Sequence, residues 1–403
     1  MGLLLPLVLC AVAVCCSTRS VPVQVPSRSL LLPHGCNDSD VLAIAGLALQ
    51  NINSDQKKGY VLSLNRVSNV QEHRQDGLGS LFYLTLDVLE TDCHVLSKKS
   101  WKDCKQRPLH ESVYGQCKAL FYVNKPRRVL YLPAYNCTLR PVSQRKIQLM
   151  CPDCPGPVDV SDPKVLEAVT ETLAKFNKES TSKQYSLFKV VRASSQWVFG
   201  PSYFVKYLIK ESPCTKSQAS SCAIQSGDPV PVAVCEGSLS KTDVETFVSV
   251  TCNFFESQVS GLPLKHSTRK AQNQLRLVPG TAEISLGNIP LLKEFLFQEN
   301  STTQQNTEPT HSSSRAVPRG SVQYLPELDD ENSGESQENG PVEAFPVQLD
   351  LTTKPWGETL DVSFLFLGPN SEQLVVLPFP KEEHRSAKCP GPAQDGNPLV
   401  LPP

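Results

Sequence analysis

The chain has 403 residues and 44.3 kDa, with 15 Cys, 33 Pro, and 39 Lys+Arg against 40 Asp+Glu, a formal net charge of −1. That balance excludes a nucleic-acid binder working by phosphate neutralisation, which needs a basic excess or stripe. Fifteen cysteines exclude a reducing compartment unless they hold metal, and the length has room for about two or three domains.

In chain order, Leu3–Val14 (LLLPLVLCAVAV) is an apolar run too short to span a bilayer and is followed by small residues, although Met1-Gly2 supplies no basic start. This is the pattern of a secretory signal, expected over residues 1–18. Cleavage after Cys16 removes three cysteines and leaves an even 12, as a fully paired disulfide set requires. No later segment approaches 18 consecutive apolar residues, so the mature chain is expected to be secreted, extracellular and off the membrane. Asn37-Asp38-Ser39, Asn136-Cys137-Thr138 and Asn300-Ser301-Thr302 are glycan acceptors consistent with export.

The cysteine spacing contains a repeat. Cys93, Cys104, Cys117 and Cys137 correspond to Cys214, Cys222, Cys235 and Cys252 at displacements of 121, 118, 118 and 115, with the same 13-residue middle gap. Ahead of the first set, Ser39 is the expected N-cap of a helix, VLAIAGLALQNI. Ahead of the second, Ser161 caps and Pro163 opens VLEAVTETLAKF, where Val165, Leu166, Val169, Leu173 and Phe176 make one apolar stripe. Each helix precedes a strand that starts at Tyr60 or Tyr185, a turn, and a second strand that ends in the first Cys of its set. Two further strand-like runs carry the remaining Cys of each set. The predicted unit is α+β, one helix packed on a four- to five-stranded antiparallel sheet, used twice.

Local pairing within each copy gives Cys93–Cys104, Cys117–Cys137, Cys214–Cys222 and Cys235–Cys252. Cys36, Cys151, Cys154 and Cys389 remain, and a Cys36–Cys389 bridge closes nearly the whole chain into one loop. The helix-plus-sheet repeat with these spacings resembles the cystatin fold. Tandem copies, a Cys-Pro-Asp-Cys-Pro junction and a tail that returns its last Cys to the first are similar to the fetuin family. The expected domains are 36–150 and 158–256, joined by a 151–157 linker and followed by a largely disordered region, 257–403, tethered by Cys389.

Within that region, 298–341 is rich in Ser, Thr, Gln, Asn, Glu and Pro and is expected to bury too little apolar surface to order itself. Beyond it, VSFLFLG and LVVLPF read as short strands. The acidic run Glu327–Glu331 lacks the ligand spacing of a calcium loop.

No two of the seven His stand four apart, and no G-x-S-x-G elbow or P-loop is present. The chain reads as no enzyme, a monomer without a cofactor or a metal of its own. The sharpest local feature is Cys151-Pro152-Asp153-Cys154-Pro155. A C-x-x-C reads as a redox couple, half a zinc site or a short disulfide. A proline-rich linker between sheets fits the third, a stiff knob whose one charged group is the Asp153 carboxylate. Such a carboxylate can occupy the open position of a metalloprotease zinc. Alternatively, the bridge is a staple between domains and Asp153 is merely solvated. The fetuin resemblance implies the former: inhibition of an astacin-family metalloprotease, with Asp153 on its zinc and cystatin hairpins gripping the cleft. It also implies a role in preventing premature egg-coat hardening, and so in fertilisation.

A second motif, Gln196-Trp197-Val198-Phe199-Gly200, matches the Q-x-V-x-G hairpin with which cystatins enter papain-like proteases. Two large apolar residues in an exposed turn call for a partner. The corresponding turn of the first copy, Gln71–Gly79, is polar, and neither copy has the Pro-Trp second hairpin. Papain-like protease inhibition through Gln196–Gly200 is therefore one alternative, and a plasma carrier or mineral-binding glycoprotein is another.

Overall fold

The computed structural model describes residues 31–181, 183–198, 200–212, 230–242, 244–255, 319–327, 347–349, 351–366, 371–381, 385–397 and 400. Helix α1, Ser39–Asp55, buries Val41, Ala45, Ala48, Leu49 and Ile52, a spacing that puts all five on one face. Its N-cap is Asp38, one residue before the expected Ser39. The Asp38 carboxylate accepts from the Gly35 amide at 3.0 Å and so tightens the entering turn. Strands β1 (Leu32–Pro33), β2 (Tyr60–Gln75), β3 (Gly79–His94), β4 (Val113–Asn124) and β5 (Val129–Pro141) form an antiparallel sheet around this helix.

A short helix, α2 (Gln144–Met150), leads through the linker to β6 (Gly156–Pro157) and helix α3, Pro163–Glu179. Asp162, not Ser161, caps α3, its Oδ1 accepting from the Lys164 amide at 2.7 Å. Ser161 is instead turned back onto Asp159. Leu166 stands outside the expected stripe, 44% exposed, while Val165, Ala168, Val169 and Thr172 are buried. Strands β7 (Tyr185–Trp197), β8 (Pro201–Glu211), β9 (Ala233–Lys241) and β10 (Thr246–Phe254) repeat the first meander, with β6 added at the edge of β7.

The repeat reaches into backbone detail. Cys117 lies opposite Cys137 and Cys235 opposite Cys252, each bridged pair with a Cα–Cα distance of 4.0 Å. Register breaks at Leu64/Arg66 and Val67/Asn69 recur at Leu187/Lys189 and Val190/Arg192, so both long strands bend around their helix at the same places. Cys93–Cys104, Cys151–Cys154 and Cys36–Cys389 are also bonded. The expected Cys214–Cys222 pair lies outside the described residues.

The C-terminal region departs from its composition. Arg319–Tyr324, inside the stretch read as unable to order, forms β11, parallel to β5 at the sheet edge. The cause is tertiary: β5 offers an open row of amides and carbonyls, and Gly320 leaves room for the Tyr135 ring, which a Cβ there would meet at 2.1 Å. The described part of VSFLFLG, residues 362–366, is not a strand. Ser363–Leu365 is a 3-10 turn, and the strands are β12 (Glu358–Asp361) and β13 (Gln373–Val376). Leu349, Val362, Leu374, Val376 and Leu377 cover the sheet face opposite α1, against Leu81, Tyr83, Leu120 and Tyr122. No described helix is long and apolar enough to cross a membrane.

Candidate functional site

The linker turn is built from both sides. On its N-terminal side α2 ends as the Cys151 amide donates to Ile147 O at 2.7 Å, and the Cys154 amide closes the turn onto Cys151 O at 3.1 Å. The Cys151–Cys154 bridge holds the two Cα atoms 5.3 Å apart. Pro152 removes one backbone donor and fixes its own φ, and Pro155 does the same on the far side. Pro152 and Asp153 are exposed at the tip. Among the described residues nothing donates to the Asp153 carboxylate, so its lone pairs face solvent.

On the C-terminal side the chain enters the second sheet immediately. Gly156 and Pro157 pair with Ser195 and Ser194 on β7, and the Val158 amide donates to Ala193 O. That register brings the next residue of β7, Gln196, beside the turn, where its Nε2 donates to Asp153 O at 2.5 Å. The two motifs, far apart in sequence, thus form one edge. One anchors the backbone of the other.

The hairpin tip follows directly. Trp197 is 76% exposed and Val198 about half so; Phe199 lies outside the described residues. Gly200 has φ +127°, and a Cβ there would sit 2.3 Å from Lys241 O. Only glycine lets this tip lie against the end of β9. That contact places the β9–β10 turn alongside, where Val244 is 89% exposed. Val244, together with Leu149 and Met150 (80% and 61% exposed) on the last turn of α2, was not singled out from sequence. The available signal was two apolar residues directly before the Cys-Pro-Asp-Cys turn.

The corresponding tip of the first copy is tighter than expected: β2 runs on to Gln75, so that only 76–78 turn within the expected Gln71–Gly79 stretch. It is also occupied. Gln75 donates to Val375 O at 2.9 Å and accepts from Val375 N at 2.8 Å.

Of the glycan acceptors, Asn37 is exposed in the turn before α1. Asn136 lies on β5, its Nδ2 donating to Gln348 O at 2.6 Å, and Asn300 is outside the described residues. Asp92, Cys93 and Cys104 come close enough to suggest a metal site, but both sulfurs are spent in a disulfide.

A family model described as the cystatin domain matches residues 32–126 and 154–242. Fetuin-B of Homo sapiens is 64% identical over 405 residues, covering 100% of both chains. The chain belongs to the fetuin-B family. Solved fetuin-B structures agree with it in fold: mouse fetuin-B in complex with crayfish astacin has a TM-score of 0.71 at 55% identity, covering 93% of this chain and 98% of that one. Mouse fetuin-B in an inhibitory complex with human meprin beta gives 0.71 at 54%, covering 92% and 100%. The cystatin matches stop at 126 and resume at 154, so Cys151, Pro152 and Asp153 fall between them. Gln196, which anchors the turn, lies inside the second match.

Proposed function

We propose that the chain is a secreted inhibitor of astacin-type zinc endopeptidases, and no enzyme itself, in which the Asp153 carboxylate coordinates the target's catalytic zinc. The observation that carries this reading is the exposed, unpartnered Asp153 carboxylate on a turn closed by Cys151–Cys154 and tied to Gln196. A catalytic zinc keeps one position open for water, and a carboxylate oxygen is a strong ligand for it. Because bridge, prolines and hydrogen bond already fix the turn, insertion costs little conformational entropy. Closing the cleft over it removes water, which strengthens the attraction between carboxylate and cation.

Trp197, Val198 and Gly200 of the hairpin, with Val244 and Leu149–Met150, supply an apolar rim around that charge, the composition of an interface centre. The solved complexes of mouse fetuin-B with crayfish astacin and human meprin beta support an astacin-family partner. Control of egg-coat hardening, and hence of fertilisation, is the physiological setting proposed for it. Secretion, glycans at Asn37, Asn136 and Asn300, and a Cys214–Cys222 bridge belong to the same reading.

Titration of wild type, Asp153→Ala and Asp153→Asn against an astacin-family protease and against papain tests it. Loss of a charged zinc ligand is expected to weaken inhibition of the zinc enzyme by about 100-fold or more. Undiminished inhibition by Asp153→Ala would sink the zinc-ligand reading. Inhibition of papain alone would favour a cysteine-protease inhibitor acting through Gln196–Gly200.

A further inference from the structure

The base of the inhibitory turn is not made by the two cystatin units alone. After β11 the chain continues along β5 and on towards the linker: the Leu325 amide donates to Leu139 O at 2.8 Å and Arg140 Nη1 donates to Pro326 O at 2.6 Å. Glu327 Oε2 then accepts from the Gln144 amide at 2.9 Å, in the first turn of α2. The N-cap residue of that helix, Ser143, provides no side-chain hydrogen bond, so Glu327 does what a cap does from 183 residues away. At the other side of α2, Val400, 2% exposed, packs with Ile147, Leu89 and Val142, and Cys154 packs against the same cluster. A cleft of about 310 Å³ lined by Gln144, Glu327, Pro155, Pro157 and Ser194 separates the strap from the linker strand.

A seven-residue helix is far too short to hold itself in water. Its last hydrogen bond, Cys151 N to Ile147 O, is also the first bond of the inhibitory turn. We propose that the C-terminal strap Arg319–Glu327 is a positioning element for Asp153, with Glu327 as the positioning residue that keeps α2 wound and the turn aimed. The inference rests on Asp153 being the group that meets the target. It gives the region outside the cystatin units a part in inhibition beyond tethering.

The full-length chain serves for the test. Glu327→Ala removes the acceptor, Glu327→Gln keeps an acceptor oxygen without the charge, and Gly320→Ala dislodges the strap from Tyr135, remote from the turn. Each is titrated against an astacin-family protease beside Asp153→Ala, and amide exchange over 144–154 is measured in the free protein. Loss of one cap is expected to weaken inhibition about fivefold in Glu327→Ala, with Gly320→Ala at least as large and Glu327→Gln within about twofold of wild type. Faster exchange at Ile147 and Cys151 should accompany the loss, with little change in thermal unfolding for Glu327→Ala. Wild-type inhibition and exchange in Glu327→Ala, while Asp153→Ala has lost inhibition, overturns the strap proposal and leaves the site standing. If Asp153→Ala inhibits like wild type, the failure belongs to the site itself. Should Gly320→Ala not fold, the Ala–Gln pair at 327 decides alone.

Discussion

Two copies of one fold meet different surroundings in this molecule. Tyr83 and Phe204 are equivalent positions, 121 residues apart as are Cys93 and Cys214, and both lie on the sheet face turned away from the helix. Tyr83 is 1% exposed, packed on Phe379, with its hydroxyl accepting from Leu377 N and donating to Leu377 O. Phe204 is only half-buried, in a cleft shared with Lys206, Glu236, Ser249 and Thr251. The outer face of the first sheet is apolar around Leu81, Tyr83, Leu120 and Tyr122, and the C-terminal region covers it there. The second sheet is polar on its outer face and needs no such cover. The same asymmetry holds at the hairpin tips, where β13 binds Gln75 but Trp197 is left to solvent. One copy is committed to internal packing, and its twin is free to meet a partner.

Cys36→Ser with Cys389→Ser opens a loop of 353 residues' separation and is expected to cost about 5 kcal/mol by loop-closure entropy. Urea unfolding would show it, and should also show the C-terminal layer leaving the first sheet while the second stays folded. Tyr83→Ala should cost about 4 kcal/mol and Phe204→Ala about 1 kcal/mol, since only the former leaves an enclosed cavity. Equal losses in the two variants would remove the distinction between the layers.

At the join of the domains, His94 stacks on Phe255 with centroids 5.7 Å apart. Burial holds its imidazole down at about 4, and Nδ1 accepts from the Leu96 amide at 3.2 Å, as only the neutral ring can. The unfolded ring titrates at about 6.5. Between those values only the unfolded chain takes the proton, so stability should fall as pH drops from 6.5 towards 4 and level off below. Allowing for partial solvent access, the loss is about 2 kcal/mol. Thermal unfolding across that window checks it, and His94→Gln should flatten this part of the dependence. Smallest is Tyr83→Phe, which leaves the Leu377 amide and carbonyl without the hydroxyl and should cost about 1 kcal/mol.

Much of this was legible in residue order. Helix α3 announces itself by Pro163 and by Val165, Val169 and Leu173, and the cap misassigned to Ser161 is a choice between adjacent residues with equally suitable side chains. Leu166 misled because a helical stripe read at one-residue resolution does not say how wide the facing sheet is. The chemistry of the turn is local, and so was readable: two sulfurs, two prolines and one carboxylate within five residues. Leu149 and Met150 at the end of α2, and Val244 in the β9–β10 turn, carry no local signal of exposure, since an apolar side chain is ordinarily buried.

Residue order alone determined the duplicated unit, because cysteine spacing and apolar period are properties of neighbours along a chain, and it determined the Cys-Pro-Asp-Cys-Pro turn. Tertiary structure alone decided that Gln196 binds Asp153 O, that Glu327 reaches Gln144, and that residues 319–324, within a polar stretch, form a strand. Each of those joins segments whose separation carries no periodic signal. The second partner supplies the hydrogen bonds or the apolar face that the first lacks, so neither is informative until the fold brings them together.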